Sequence, residues 1–286
     1  MITPDSAVRA AVSAAAGLGI HSAEPAVLAD AANVIVHLRP APVVAKVAAS
    51  TTVIRGDIAA WLQRELDIAG FLAGEGAPVL APSPDAPAAV HRAEGHVMSF
   101  WRYLPPSGFD RPDEATVGSM LRDLHAVLRS YPGSMPELAP LGDIPAFLAE
   151  PRVMLAPDDT AALSETFAQL STELAAELDG ASGRNQVLHG DAGPGNLMAT
   201  GVGWVWHDFE DTCSGPVAWD LAAPTTSRRL DGERVLAAYA DPVDPGQLSV
   251  CQQLRRLHLT IWYALYAERL PEQRQRAARL LATWRS

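Results

Sequence analysis

Lysine is almost absent from this chain. Of 22 lysine and arginine residues among 286, one is a lysine, Lys46, and every other strong cation is an arginine. Basic charge is also short as a whole: 33 acidic residues leave a formal net charge of -11. A surface of that sign repels nucleic-acid phosphates, so no nucleic-acid partner is expected. It suits ordinary solubility, and equally the attraction of cationic small molecules. Cysteine is scarce. Cys213 and Cys251 make neither a disulfide framework nor a metal site. No apolar run approaches the length of a bilayer span, so no membrane partner is expected. The opening Met1-Ile2-Thr3-Pro4-Asp5 lacks the basic region and apolar core of a signal peptide, and a reducing, cytoplasmic setting follows as an expectation. No internal repeat is visible.

What is present has a globular composition, 48% hydrophobic and 19% charged. The length allows two lobes rather than one compact core. Pro4 to Ala16 reads as an alanine-rich helix capped near Asp5 or Ser6 and ended by Gly17-Leu18-Gly19. Glu24 to Ala29, Asn33 to Leu38 and Val43 to Val47 read as strands, and Val79-Leu80 and Val97 to Trp101 should complete the sheet. Lys46 lies inside the third strand, and a lysine among apolar strand residues needs a partner or a ligand. Ile58 to Leu72 forms an amphipathic helix with Ile58, Leu62, Leu66 and Phe71 as core. Glu65 on that helix is a candidate partner for Lys46; the alternative is a solvated helix charge.

Beyond Asp113 the pattern turns helical. Val117, Leu121, Leu124 and Leu128 share one face, with His125 close to it, and Leu163, Phe167, Leu170, Leu174 and Leu178 share another. Gly180 to Gly183 should end the second of these helices, and Pro132 to Pro145 reads as irregular. In the C-terminal helices Leu254, Leu257, Ile261 and Leu265 form a packed face. Trp262, Tyr263, Tyr266 and Glu268 are open to either a core or a pocket role.

The chemistry concentrates in His189-Gly190-Asp191-Ala192-Gly193-Pro194-Gly195-Asn196, followed by Asp208-Phe209-Glu210. Three fixed residues in the frame H-x-D-x-x-x-x-N arise by chance in roughly one chain of this length in a hundred. Asp and Asn in a Gly/Pro-rich loop can also be turn residues and nothing more. Phosphoryl transfer needs positioning and charge neutralisation rather than covalent chemistry. It asks for one carboxylate beside the attacking hydroxyl, which Asp191 can supply. It asks also for hard oxygen ligands on magnesium, which Asn196 and Asp208 can supply. Leu197-Met198 and Trp204-Val205-Trp206 read as a hairpin returning the chain to Asp208.

The spacing resembles the catalytic loop and metal motif of kinases. Gly190 and Glu210, at places where protein kinases carry arginine and glycine, point to the aminoglycoside phosphotransferase family, as does Gly215-Pro216-Val217-Ala218-Trp219-Asp220-Leu221-Ala222. The resemblance implies a two-lobed, protein-kinase-like α+β fold. Residues 1–104 would form a nucleotide-binding N-lobe with a five-stranded antiparallel sheet plus a helix. Residues 105–286 would form a mostly helical C-lobe with the catalytic loop and acceptor pocket. It implies ATP (or GTP) and Mg2+ as cofactors, Asp191 as the catalytic group, and Asn196 and Asp208 as metal ligands. It further implies a Lys46–Glu65 pair on the nucleotide phosphates, and a hinge at Ser99, Phe100 and Trp101 that flanks or pairs with the base, with core packing the alternative for Phe100 and Trp101. His189 and Asp220 would support the loop, and His125 would be a structural core residue. Glu210 and Asp211 are possible contacts for a small-molecule hydroxyl acceptor such as an aminoglycoside or another amino-bearing alcohol or sugar. One departure stands out. The turn expected to cover the phosphates, Ala29-Asp30-Ala31-Ala32-Asn33, has no glycine. A catalytically weak pseudokinase, binding a nucleotide or a partner, is therefore the alternative.

Overall fold

The computed structural model describes residues 2–108, 111–180 and 185–285. The chain divides into two compact units, Met1–Asp110 with Met198–Glu210, and Arg111–Leu197 with Asp211–Ser286. Among the described residues no helix is long and apolar enough to cross a membrane.

The first unit opens with helix α1 (Pro4–Gly17). Its cap is Thr3 rather than Asp5 or Ser6: the Thr3 hydroxyl accepts from the Ser6 N–H at 3.2 Å and the Ser6 hydroxyl from the Thr3 N–H at 3.1 Å. Strands β1 (Ser22–Asp30), β2 (Asn33–Pro40) and β3 (Val43–Ala48) follow, then helix α2 (Ile58–Gly74) and strands β4 (His91–Ala93) and β5 (His96–Arg102). They form an antiparallel sheet in the order β1-β2-β3-β5-β4. Strand periodicity decides what each face carries. Val34, Val36, Leu38, Val43, Ala45, Val47, Met98 and Phe100 pack with the buried alanines Ala7, Ala10, Ala11 and Ala15 of α1. The alternate positions of β3 turn the other way, where Ala48 packs with Ile58 and Leu62 of α2. Lys46 belongs to that second set, so two-residue alternation aims the one lysine at α2.

One edge differs from expectation. Val79 does not join the sheet; it makes a bridge to Trp206. The outer strand is β4, turned into β5 at Glu94 and Gly95, both with positive φ (48° and 76°). His91-Arg92-Ala93 has little β-branched or aromatic character and gives no strand signal of its own.

The second unit holds α3 (Glu114–Leu128), α4 (Asp143–Leu148), α5 (Pro157–Gly180) and β6 (Gln186–Leu188). The next hairpin, β7 (Leu197–Thr200) and β8 (Gly203–Trp206), leads into the 198–210 segment of the first unit. There the Trp206 N–H donates to the Pro78 carbonyl and the Leu80 N–H to the Trp206 carbonyl, each at 2.8 Å. Strand β9 (Cys213–Gly215) pairs with β6, and α6 (Val217–Thr225), α7 (Gly232–Tyr239), α8 (Pro245–Arg269) and α9 (Arg274–Ala282) complete the chain. The 132–145 region is more ordered than expected, with a 3-10 turn at Ala139–Gly142 running into α4. Residues 181–183, expected as the stop after α5, lie outside the described residues. Leu170, Leu174, Leu188, Cys213, Trp219, Val250, Cys251 and Leu254 make one core that clamps β6 and β9 between α5, α6 and α8. Leu257, Ile261 and Leu265 are buried as their spacing predicts, and Trp262 joins them.

Candidate active site

In the first unit the Lys46 ammonium is 5% exposed and has three carboxylates around it. Both Glu65 oxygens lie at 2.9 Å, Asp208 Oδ1 at 2.6 Å and Glu210 Oε2 at 2.9 Å. The expected Lys46–Glu65 pair is thus formed. Asp208 takes a left-handed φ of 64°, a conformation Asp tolerates better than most residues. Its side chain stays 43% exposed.

Glu210 does not stand open to an acceptor. It is 4% exposed, with Arg55 Nη1 at 2.9 Å on one oxygen and Asn33 Nδ2 at 2.8 Å on the other. Arg55 lies over the Trp61 ring, 3.8 Å from its centroid. Buried oxygens already matched by three donors have no room for a substrate ammonium. The sequence reading of Glu210 as a substrate contact is corrected accordingly.

Two cations face three carboxylates in this cluster, which leaves an excess of negative charge. Burial alone would pull the Lys46 ammonium down, but Asp208, Glu210 and Glu65 together hold it well above its ordinary value. Glu65 feels the opposite strain. Burial, opposed by Lys46 and reinforced by Asp208 and Glu210, pushes Glu65 up to about 8. Oxygens of Glu65, Asp208 and Glu210 lie within 4.8 Å of one another. The Lys46 ammonium takes the point on which they converge, and of the three only the Asp208 carboxylate is exposed enough to meet a hard divalent cation.

The turn between β1 and β2 is tied down rather than free. The Ala31 carbonyl accepts from the Ser50 hydroxyl at 3.3 Å and the Ala32 carbonyl from the Thr51 N–H at 3.4 Å. The Thr51 hydroxyl donates to Asn33 Oδ1 at 3.3 Å. Asn33 thereby connects this glycine-free turn to Glu210.

Ser99, Phe100 and Trp101 are not a hinge. They pair with Lys46, Ala45 and Val44 of β3, and all three are buried. On the other side the Phe100 carbonyl accepts from the Ser83 N–H at 3.0 Å. Trp101 Nε1 donates to the Ser99 hydroxyl at 2.8 Å. The strand runs on to Arg102, and the Tyr103 N–H donates to the Pro42 carbonyl at 2.8 Å. Among the described residues, Leu104 is the first past the strand whose backbone N–H and C=O have no protein partner.

In the second unit β6 delivers His189 and the loop behind it. Asp220, early in α6, accepts from the His189 and Gly190 N–H groups at 2.8 Å each and from His125 Nε2 at 2.9 Å. His125 also meets the Tyr239 hydroxyl at 2.8 Å, so a buried chain reaches from α7 through α3 to the loop. Burial works against the Asp220 carboxylate, yet the hydrogen bonds from the His125 side chain and the His189 backbone hold it below its ordinary value. His189 is fully buried and its Nδ1 accepts from the Asp191 N–H at 3.3 Å. Both residues hold the loop backbone.

The loop turns at Gly190, whose φ is +86°. A Cβ there would overlap the Asp211 carbonyl carbon and oxygen. The arginine of protein kinases is therefore sterically excluded at this position. Asp191 is 40% exposed at its side chain. Asn196 Nδ2 donates to the Asp191 carbonyl at 2.7 Å and to its Oδ2 at 3.0 Å. The amide nitrogen of Asn196 is engaged in this way, and its oxygen is the end suited to a metal.

Sequence reasoning missed Asn33, Arg55 and Arg255. Arg255, on α8, bonds Asp191 Oδ1 through Nη2 and donates to the Gly190 carbonyl at 3.1 Å through Nη1. Its neighbour Arg256 is exposed, and only the helical phase of Leu254 and Leu257 separates the two. Asp211, expected as a substrate contact, is half-buried and its charge acts on Arg255.

A family model described as "Phosphotransferase enzyme family" matches residues 29–242. No curated protein matches the chain. Among solved structures, an amicoumacin kinase in complex with AMP-PNP, Ca2+ and Ami is 14% identical, with a TM-score of 0.66 over 92% of this chain and 89% of that one. A GDP and kanamycin complex of APH(2")-IIia is 14% identical, with a TM-score of 0.67 over 96% and 97%. A microcompartment-associated aminopropanol kinase is 19% identical, with a TM-score of 0.65 over 96% and 95%. At these identities the likeness is one of fold.

Proposed function

The chain belongs to the phosphotransferase enzyme family, and from that premise we propose that it moves the γ-phosphoryl of ATP (or GTP) to a hydroxyl of a small molecule. The observation that carries the reading is the buried Lys46 ammonium held by Glu65 and Asp208 at 2.9 and 2.6 Å. A buried, carboxylate-held ammonium supports a role as the fixed cation that nucleotide phosphates need.

Asp191 accepts the proton of the acceptor hydroxyl as its oxygen attacks the γ-phosphorus. The bond from that phosphorus to the β,γ-bridging oxygen breaks, and the electron pair leaves with the diphosphate. Asp191 then releases the proton to solvent. Lys46 neutralises phosphate charge and Glu65 orients Lys46. Asn196 Oδ1 and the exposed Asp208 carboxylate would hold magnesium, which when bound supplies charge neutralisation on the phosphates. For the adenine edge, Leu104 replaces the residues first expected, because its backbone groups are not engaged in the sheet. The acidic balance of the chain is compatible with an amino-bearing alcohol or sugar as acceptor.

The tied, glycine-free β1–β2 turn favours one second reading, a weak or inactive nucleotide-binding module. An ADP-release assay with Mg-ATP across aminoglycosides, amino alcohols and sugars separates the two. Turnover with one acceptor class, reduced at least ~100-fold in Asp191→Ala with nucleotide binding intact, is the expected result. Equal turnover in wild type and Asp191→Ala would overturn the assignment of Asp191. Silence with every acceptor, while ATP still raises the melting temperature, would make the binding module the better reading.

A further inference from the structure

We propose that Arg255 is the positioning residue that fixes the Asp191 carboxylate for phosphoryl transfer. The inference rests on the phosphotransferase reading above. It starts from a vacancy in the motif: between His189 and Asn196 there is no lysine or arginine. A carboxylate on a loop needs more than one donor to fix its plane, because its terminal torsion is broad. Here the two oxygens are held separately, Oδ2 by Asn196 and Oδ1 by Arg255.

Arg255 is itself held. Its guanidinium lies over the Trp219 ring, 5.1 Å from the centroid. Trp219 Nε1 donates at 2.9 Å to the Gly190 carbonyl that Arg255 also reaches. Its side chain is 11% exposed, and its helix is anchored on either side by the fully buried Leu254 and Leu257. The charged groups that face it are Asp191, Asp211 and Asp220, all anionic partners for a guanidinium. A planar fork can serve the Gly190 carbonyl and the Asp191 carboxylate together; an ammonium on a flexible stem orients them less well. The helix whose leucines form a packed face thereby also reaches the reacting group.

The test compares wild type, Arg255→Ala, Arg255→Lys, Arg255→Gln, Asp191→Ala and the Asp191→Ala/Arg255→Ala double variant. ADP release from Mg-ATP is followed with kanamycin, choline, 1-amino-2-propanol and water as acceptors, and melting temperatures are recorded alongside. Arg255→Ala should lose ~100-fold in kcat, the scale of a misplaced catalytic group, with KM for ATP little changed. Arg255→Lys should recover part of the loss, and ethylguanidinium added to Arg255→Ala should recover part of it too. The double variant should be no slower than Asp191→Ala alone. Wild-type kcat in Arg255→Ala overturns the proposal. So does a loss that ethylguanidinium leaves untouched and that follows the melting temperature through the Lys and Gln variants. Wild type silent with all four acceptors would instead overturn the phosphotransferase reading, and this inference with it.

Discussion

Replacing Gly190 by alanine isolates the geometry on which the catalytic loop depends. The change adds one methyl group, and two separate costs follow. The backbone sits at φ +86°, where an L side chain costs about 1–2 kcal/mol. The new Cβ would also overlap the Asp211 carbonyl and stand 3.0 Å from the Asp211 Cβ. Because the nearest atoms are backbone, no side chain can swing aside, and relief must come from moving the loop or the 211 segment. Overpacking of this kind costs about 1–3 kcal/mol. A sum of about 2–5 kcal/mol corresponds to a melting point roughly 3–8 °C lower for a chain of this size. The neighbouring Gly193 is the control. Its φ is -73° and nothing lies within 4 Å of its would-be Cβ. Gly193→Ala should leave the melting temperature within about 1–2 °C of wild type. In activity, moving Asp191 by ~1 Å should lower turnover by about 100-fold. Thermal denaturation of both variants, with ADP release for Gly190→Ala, measures each part. If Gly190→Ala melts with Gly193→Ala and turns over like wild type, the contact between residues 190 and 211 does not constrain the loop.

Glu210→Ala should destabilise the first unit by ~3–5 kcal/mol, because it strips the buried Arg55 and Asn33 of their acceptor and leaves Lys46 one carboxylate fewer; chemical denaturation checks the loss, and a shift under ~1 kcal/mol would mean that the cluster does not hold in solution. Asp220 gives a pH dependence with a definite sign. Its folded value is held below the ordinary one, so the stability it contributes is fully present above about pH 4 and is lost as pH falls through the folded value. Asp220→Asn should cost about 3 kcal/mol at neutral pH, and the gap from wild type should narrow below about pH 4; a gap constant down to pH 2.5 would remove Asp220 from the account of the loop.

The sequence was most legible where chemistry demands fixed spacing or where one period rules a segment. Asp191 and Asn196 lie five residues apart on one loop, and the structure bonds them to each other. Lys46 was legible as a charge inside an apolar strand, and Glu65 as a glutamate on the next amphipathic helix. The packed leucines of α3, α5 and α8 follow from helical spacing alone. The failures have equally definite causes. The resemblance puts a hinge at Ser99, Phe100 and Trp101, but ladder pairing continues to Arg102 and keeps all three inside the sheet. Glu210 reads as a possible acceptor contact because its partners, Asn33 and Arg55, come from 177 and 155 residues earlier. Arg255 was invisible for the same reason, since it is 64 residues from the aspartate it meets.

The arginine bias of the chain has a physical reading in these two clusters. In each unit a guanidinium lies over a tryptophan, Arg55 at 3.8 Å from the Trp61 centroid and Arg255 at 5.1 Å from that of Trp219. In each it grips an acidic residue of the catalytic motifs, Glu210 or Asp191. A delocalised, weakly hydrated cation with a flat face suits that work, because stacking fixes the plane and the fork fixes the carboxylate. The task at residue 46 is different. Its nitrogen meets carboxylates from α2, from the end of the β7–β8 hairpin and from the turn after it, all between 2.6 and 2.9 Å. Three acceptors converging on one point need a compact cation with three donors around a single atom, and a planar fork would spread them apart. The one lysine stands where three carboxylates converge on a single nitrogen, a geometry that suits an ammonium better than a planar fork.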